Sequence, residues 1–201
     1  MISRPIALAM TGASGSCYGL RLLECLLGAG REVQFMISRA AQVVIPVEMD
    51  LALPSRPADA ESVLTERYKA AAGQLRVFGS EQSGAPVAIG SNAPEAMVVA
   101  PCSTGTLSAI AGGASDNLIE RAADVTLKEQ RKLILMVRET PLSAIHLENM
   151  LKLSRLGVVI MPASPGFYQR PRTVNELVDF MVARVLDQLA IEHQLARRWG
   201  D

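Results

Sequence analysis

An excess of charge of either sign is the first thing this chain lacks. Its 201 residues carry 20 Lys and Arg against 20 Asp and Glu, a formal charge of +0. A protein that grips phosphate backbones shows a basic excess or a basic stripe, so nucleic acid is not an expected partner. Long apolar runs are missing as well. No stretch approaches the ~18–20 residues that span a bilayer, and the opening run from Pro5 to Met10 is shorter than the ~7–15-residue core of a signal peptide. The chain therefore reads as cytoplasmic, with no membrane partner. Only three cysteines occur, Cys17, Cys25 and Cys102. Their odd number and the absence of CxxC spacing fit reduced thiols rather than a disulfide framework or a zinc site, and no metal is expected.

Several signatures of well-known chemistry are also absent. There is no GxxxxGK[ST] phosphate loop, no GxGxxG turn and no GxSxG elbow to expose a nucleophilic serine. Ser38-Arg39 follows the second apolar run where a dinucleotide-binding chain would place an acidic residue for the ribose, which lowers nicotinamide dinucleotide among the ligands. Of two histidines, His193 lies in a polar C-terminal stretch and His146 in a helical one, and neither has the partners of a catalytic triad. Cys102 reads as a small buried filler.

What the chain does have is apolar residues, 49% hydrophobic against 20% charged, enough to outweigh the ordering entropy that keeps polar chains unfolded. The length suits one domain. Near-zero net charge combined with high hydrophobicity also points to a buried oligomer interface. Short apolar runs at 6–10, 33–37, 96–100, 133–137 and 158–161 read as strands. Helical patterns lie between them, with Leu20, Leu23 and Leu27 in the first, then near 40–47, from the 101–106 turn towards Gly112, and over 117–128 and 143–154. A last helix carries Leu177, Val178, Met181, Val182, Val185 and Leu189. Residues 51–94, punctuated by four prolines, yield only one helix, over 60–72. Strand and helix alternate, so the expectation is an α/β single-domain fold with a parallel sheet covered on both faces, its ligand edge at the strand C-terminal ends.

The chemistry-bearing residues fall on that edge. Thr11-Gly-Ala-Ser-Gly-Ser16 turns the first strand into a helix and offers hydroxyls and amide donors at a helix N-terminus, suited either to an anion or to a tight turn alone. Ser103-Thr104-Gly105-Thr106 repeats the arrangement after another strand, and two such loops suit a mononucleotide, with plain N-capping as the other reading. Arg138-Glu139 ends a further strand, as binding groups or as a solvated pair. Arg184 sits at the margin of an apolar stripe, where it either snorkels to water or meets an anion across a cleft or subunit boundary. Phe167 and Tyr168 are adjacent rings in a chain that is 4% aromatic, able to wall a ligand or to pack over the sheet end. Trp199, the one tryptophan, is expected to dock.

AMTGASG (9–15), PCSTGTLSAIA (101–111), NLIERAADVTLKE (117–129), RETP (138–141), HLENMLKL (146–153) and PASPGFY (162–168) together resemble the UbiX-type flavin prenyltransferase family over essentially the whole chain. The resemblance implies a Rossmann or flavodoxin-like three-layer fold assembled as a homododecamer, with FMN at a junction of subunits. It implies a metal-independent transfer in which reduced FMN takes a dimethylallyl group from dimethylallyl phosphate at N5 and closes a ring through C6. The prenylated FMN would serve a UbiD-type decarboxylase. Gly12, Ala13, Ser14, Ser38, Ser103, Thr104, Gly105, Thr106 and Arg138 look like FMN contacts, with Ser14 near N5. Arg121, Lys128, Arg138, Glu139, Tyr168, Arg184 and Trp199 look like the allyl-phosphate site. Ser14, Glu48, Lys128 and Glu139 are the expected catalytic set. Two other readings stand beside this one. A flavin-dependent cysteine decarboxylase would need a histidine soon after the first turn and a PxMNxxMW loop, neither of which is present. A flavin carrier without catalysis would have no use for Lys128, Tyr168 and Arg184.

Overall fold

The computed structural model describes residues 4–195. Its frame is one six-stranded sheet in the order β3-β2-β1-β4-β5-β6, every neighbouring pair parallel. The strands are β1 (Ile6–Met10), β2 (Val33–Ile37), β3 (Leu75–Gly79), β4 (Ala96–Cys102), β5 (Lys132–Val137) and β6 (Val159–Pro162). The helices are α1 (Ser16–Gly28), α2 (Arg39–Glu48), α3 (Pro57–Tyr68), α4 (Thr104–Gly112), α5 (Leu118–Lys128), α6 (Ala144–Arg155) and α7 (Val174–Gln188). This is the doubly wound order of a Rossmann sheet, in which the chain switches direction between β1 and β4.

The central strands explain the apolar runs. β1, β2 and β4 are buried at every residue, as strands covered on both faces must be. Alternate residues then feed two cores. Ile6, Leu8 and Met10 pack with α1, α2, α3 and α7, whereas Ala7 and Ala9 face α4, α5 and α6. The alanines on the second face allow close approach of the helices there. Five of the helices start on polar caps: Ser38 accepts from the Ala41 amide, Ser103 from Thr106, Asn117 from Ile119 and Glu120, Ser143 from His146 and Thr173 from Glu176. Among the described residues no helix is long and apolar enough to cross a membrane.

Two expectations need correction. The helix expected over 60–72 is α3, which begins at Pro57 because a proline at the first helical turn loses no hydrogen bond. It stops at Tyr68 because Lys69 takes a left-handed conformation, φ 53°. The edge strand β3 was not expected at all. It follows that stop after a short turn and pairs only with β2, and its second residue, Arg76, is exposed.

Candidate active site

The switch between β1 and β4 brings the two glycine-hydroxyl loops side by side at the C-terminal edge of the sheet. Gly12 is glycine for steric reasons. A Cβ there would lie 2.4 Å from the Ala40 Cβ, so the first turn packs directly on the start of α2 and beside its cap, Ser38. Gly15, at φ 107°, caps α1 in a conformation that side chains rarely adopt. Having no side chain, it leaves the α1 amides to Glu48, the last residue of α2. The Glu48 carboxylate accepts from the Gly15 amide at 2.9 and 3.1 Å and from the Ser16 amide at 2.8 Å. Burial by itself pushes this carboxyl up. Hydrogen bonds from the Ser14 hydroxyl, the Ser16 and Gly15 amides and the Ser16 hydroxyl outweigh it, so Glu48 titrates below its ordinary value.

The β5 end completes this edge. Arg138 donates from its backbone to the Cys102 carbonyl at 3.1 Å and from Nε to the Ser14 carbonyl at 3.1 Å, so the guanidinium bridges the first loop to the third. Thr104 donates to Glu139 Oε2 at 3.4 Å, which ties the β5 end to the start of α4. At the α4 N-terminus the Ser103 hydroxyl also donates to Thr106 Oγ1 at 3.1 Å. A Cβ on Gly105 would meet nothing nearer than the Ser103 hydroxyl at 4.0 Å, so the backbone there is open to a large ligand. A cleft of about 670 Å³ lined by Ile37, Arg39, Gln42, Gly79 and Ser80 continues outward from Ser38 along the same edge. Thus Gly12, Ala13, Ser14, Ser38, Glu48, Ser103, Thr104, Gly105, Thr106, Arg138 and Glu139 gather in one place. The donor set of hydroxyls, open backbone and one fixed guanidinium fits a flavin mononucleotide: hydrogen-bonding ring edges, a hydroxylated chain and a phosphate.

Three expected cations are elsewhere. Lys128 ends α5 and pairs with Glu129. Its Nζ lies against the 3₁₀ turn Gly90–Asn92, which leads into β4, and so it sits where the strands begin. Arg184 pairs with Asp187 at 2.7 Å, one turn before the Gln188 carbonyl that accepts from Lys132, the first residue of β5. Arg121, on the first turn of α5, donates to the Ala88 carbonyl at 3.2 Å and to Asp124 at 2.7 Å. Tyr168 and Phe167 are both exposed in the loop after β6, and Tyr168 meets Phe180 edge to face at 5.6 Å. Trp199 lies outside the described residues.

The remaining side chains singled out from the sequence are structural. His146 and Ser143 form a reciprocal cap at the start of α6, the histidine Nδ1 accepting from the Ser143 amide at 3.2 Å. His193 faces Asp187 at 3.2 Å. Cys102 is fully buried, and burial pushes its thiol up to about 12, which keeps it protonated and inert. Reading the sequence missed Thr11 as anything more than the first residue of a turn.

Comparison with known proteins shows the family to which the chain belongs. The family model described as Flavoprotein matches residues 2–186. The chain is 62% identical to the flavin prenyltransferase UbiX of Pseudomonas aeruginosa over 98% of its own length and 94% of that protein's. It is 46% identical to the UbiX of Methanocaldococcus jannaschii, over 97% and 98%. Among solved structures, AnUbiX in complex with FMN and dimethylallyl pyrophosphate superposes with a TM-score of 0.87 at 38% identity, covering 99% of this chain and 98% of that one. A dodecameric FMN-dependent UbiX-like decarboxylase from Escherichia coli superposes with a TM-score of 0.85 at 41% identity, covering 98% and 100%. The chain, with both hydroxyl loops and the Arg138 bridge in place, belongs to the UbiX flavin prenyltransferase family.

Proposed function

We propose that this protein is a flavin prenyltransferase that joins the dimethylallyl group of dimethylallyl phosphate to N5 and C6 of reduced FMN, making prenylated FMN for a UbiD-type decarboxylase. The observation that carries the reading is the convergence of the β1, β2, β4 and β5 ends on one open edge, with Arg138 held against Ser14. The 62% identity to a UbiX over nearly the full chain supports it.

Reduced FMN supplies the electron-rich N5 and C6 that take the allyl group. Gly12, Ala13, Ser14, Ser38 and Ser103 to Thr106 would hold the flavin, and Ser14, whose hydroxyl donates to Glu48, has its oxygen left to accept from it. Arg138, fixed through Nε, offers a positive charge without having to reorganise. Glu139, already an acceptor from Thr104, is placed to take a proton in transit, whereas Glu48, kept ionised by the α1 amides, acts there as a hydrogen-bond acceptor. The leaving phosphate needs more positive charge than this edge supplies, since its loops set Arg138 against the carboxylates of Glu48 and Glu139. Lys128, Arg121 and Arg184 supply it from neighbouring copies of the chain, with Tyr168 as a further donor. Phe167, Tyr168 and Trp199 exclude water from the allylic carbon. Copies assemble through apolar residues that a lone chain leaves exposed, among them Ile145, Leu147, Leu151 and Leu156 on and after α6. The dodecameric relative supports a homododecamer.

Anaerobic incubation with reduced FMN and either dimethylallyl phosphate or the pyrophosphate, followed by mass spectrometry of the flavin, tests the reading. A flavin heavier by one C5 unit is expected; unaltered flavin after full incubation would favour a carrier. Arg184→Ala should raise KM for the allyl donor about tenfold or more while FMN stays bound, as expected for loss of a charge-assisted phosphate contact. Loss of flavin instead would mean that Arg184 holds the other phosphate.

A further inference from the structure

Thr11 is one of few polar residues buried among the described residues, 2% exposed, and it lies between the two loops that form the flavin edge. Its hydroxyl donates to the Pro101 carbonyl at 2.9 Å and accepts from the Ser103 amide at 2.8 Å. Its own amide donates to the same Pro101 carbonyl at 3.2 Å. The regular pairing of β1 with β4 runs from Ile6–Ala96 to Ala9–Val99 and goes no further. Beyond that point β4 is irregular, with a register shift between Val99 and Cys102 on its β5 side. Past the end of the ladder, then, Thr11 ties the two loops together, its amide and hydroxyl on Pro101 and its hydroxyl alone on Ser103. Ser103 is the residue whose hydroxyl caps α4, so its amide and its side chain link Thr11 to the first turn of that helix.

We propose that Thr11 is a positioning residue for the flavin. It makes no contact of its own with ligand. Its hydroxyl instead fixes how far the Gly12–Ser14 turn stands from Ser103 to Thr106, the separation that a rigid ring must match. This rests on the reading above that both loops hold FMN. Removing the hydroxyl leaves the Ser103 amide without its buried acceptor, and that amide recovers a partner only by shifting the α4 start towards solvent. A serine keeps both bonds and loses one methyl.

The test compares Thr11→Val and Thr11→Ser with Thr126→Val. Thr126 is 0% exposed, donates to the Ala122 carbonyl at 2.7 Å within α5, and has no contact with either loop. FMN affinity is measured by quenching of flavin fluorescence, KM is measured separately for FMN and for dimethylallyl phosphate, and thermal unfolding is followed without ligand. Thr11→Val should weaken FMN binding about tenfold or more and raise KM for FMN, with KM for the allyl donor within about twofold of the parent. Thr11→Ser should stay within about threefold. Thr126→Val should lower thermal stability comparably and leave FMN affinity intact. Should Thr11→Val not accumulate folded, Thr11→Cys takes its place, since it is close in volume and a poor hydrogen-bonding partner. Full FMN affinity in the variant lacking the hydroxyl, or an equal loss in Thr126→Val, overturns the proposal. An unmodified parent protein that takes up no FMN overturns instead the functional reading on which the proposal rests.

Discussion

Glu48 takes the place of a helix cap that Gly15 cannot supply, and this division of labour makes the first turn sensitive to acid. Glu48→Gln puts an amide that is half donor against amides that need an acceptor. The expected cost at neutral pH is about 0.5–1 kcal/mol, the low range for a lost cap, because the side chain is solvent-exposed and partly screened. The sign of the pH dependence follows from the direction of the shift. A carboxyl held below its ordinary value of 4.5 contributes its stabilisation in full above that value, and loses it as pH falls through the lower folded-state value. Urea titrations of parent and Glu48→Gln should therefore differ at pH 7 and converge in acid below the ordinary carboxylate range. A gap that stays constant into acid would assign the loss to shape rather than charge. At this scale the sequence was legible where a residue acts on its neighbours. Ser38, Ser103 and Ser143 cap helices that begin immediately after them, and the stop-start pattern of hydroxyls announces it. Glu48 reaches back 33 residues and Thr11 reaches forward 92, and no local pattern encodes such distances. Glu48 was found through family resemblance alone, Thr11 not at all.

Helix α1 owes its place to a missing side chain. A Cβ on Gly19 would stand 2.3 Å from the Ala100 carbonyl oxygen and 2.7 Å from the Met10 Cγ, so the helix backbone rests directly against the ends of β4 and β1. Both strands end in the hydroxyl-bearing loops of the candidate site, and that contact sets the angle at which α1 leaves the first of them. Gly19→Ala should destabilise the fold by about 2–3 kcal/mol, the upper range for overpacking, because backbone oxygen cannot move aside as a side-chain tip can. Gly112→Ala, where an added Cβ meets nothing within 4 Å, should be neutral or stabilising by up to about 1 kcal/mol. Urea midpoints of the two variants check both statements, and equal effects would mean that α1 can slide. Elements of this kind were readable in the sequence in proportion to their burial. β1, β2, β4 and β5 announce themselves as apolar runs because helices cover both their faces. β3 has a neighbour on one side only and tolerates Arg76, so between prolines and glycines it reads as loop.

At the scale of the whole molecule, one chain places most of its expected chemistry at one end of the sheet and two of its expected cations at the other. Gly12 to Ser14, Ser103 to Thr106, Arg138 and Glu139 stand where the strands end. Lys128 and Arg184 stand where they begin, Lys128 beside Gly90 and Arg184 paired with Asp187, the neighbour of the Gln188 carbonyl that accepts from Lys132. A six-stranded sheet is rigid across this span, so no hinge within the chain brings the two sets together. The family resemblance nominated these residues but carried no sign of this separation, because the positions of α5 and α7 relative to the loops depend on the assembled sheet. If the sites are shared between copies, mixing two inactive variants restores activity. Lys128→Ala and Arg138→Ala chains, co-expressed in equal amounts and isolated as one assembly, should regain about a quarter of parental activity, since a random pairing of two contributing chains leaves one site in four with both residues intact. Each variant alone should turn over at least about a hundredfold more slowly than the parent, the scale for removing a fixed charge-stabilising group. Were each site built within a single chain, every site of the mixed assembly would lack one residue or the other, and its activity would stay at the level of the separate variants. A mixture of purified variants that cannot exchange subunits provides the baseline, so recovery confined to the co-expressed assembly measures sharing of the site and not trace parental enzyme.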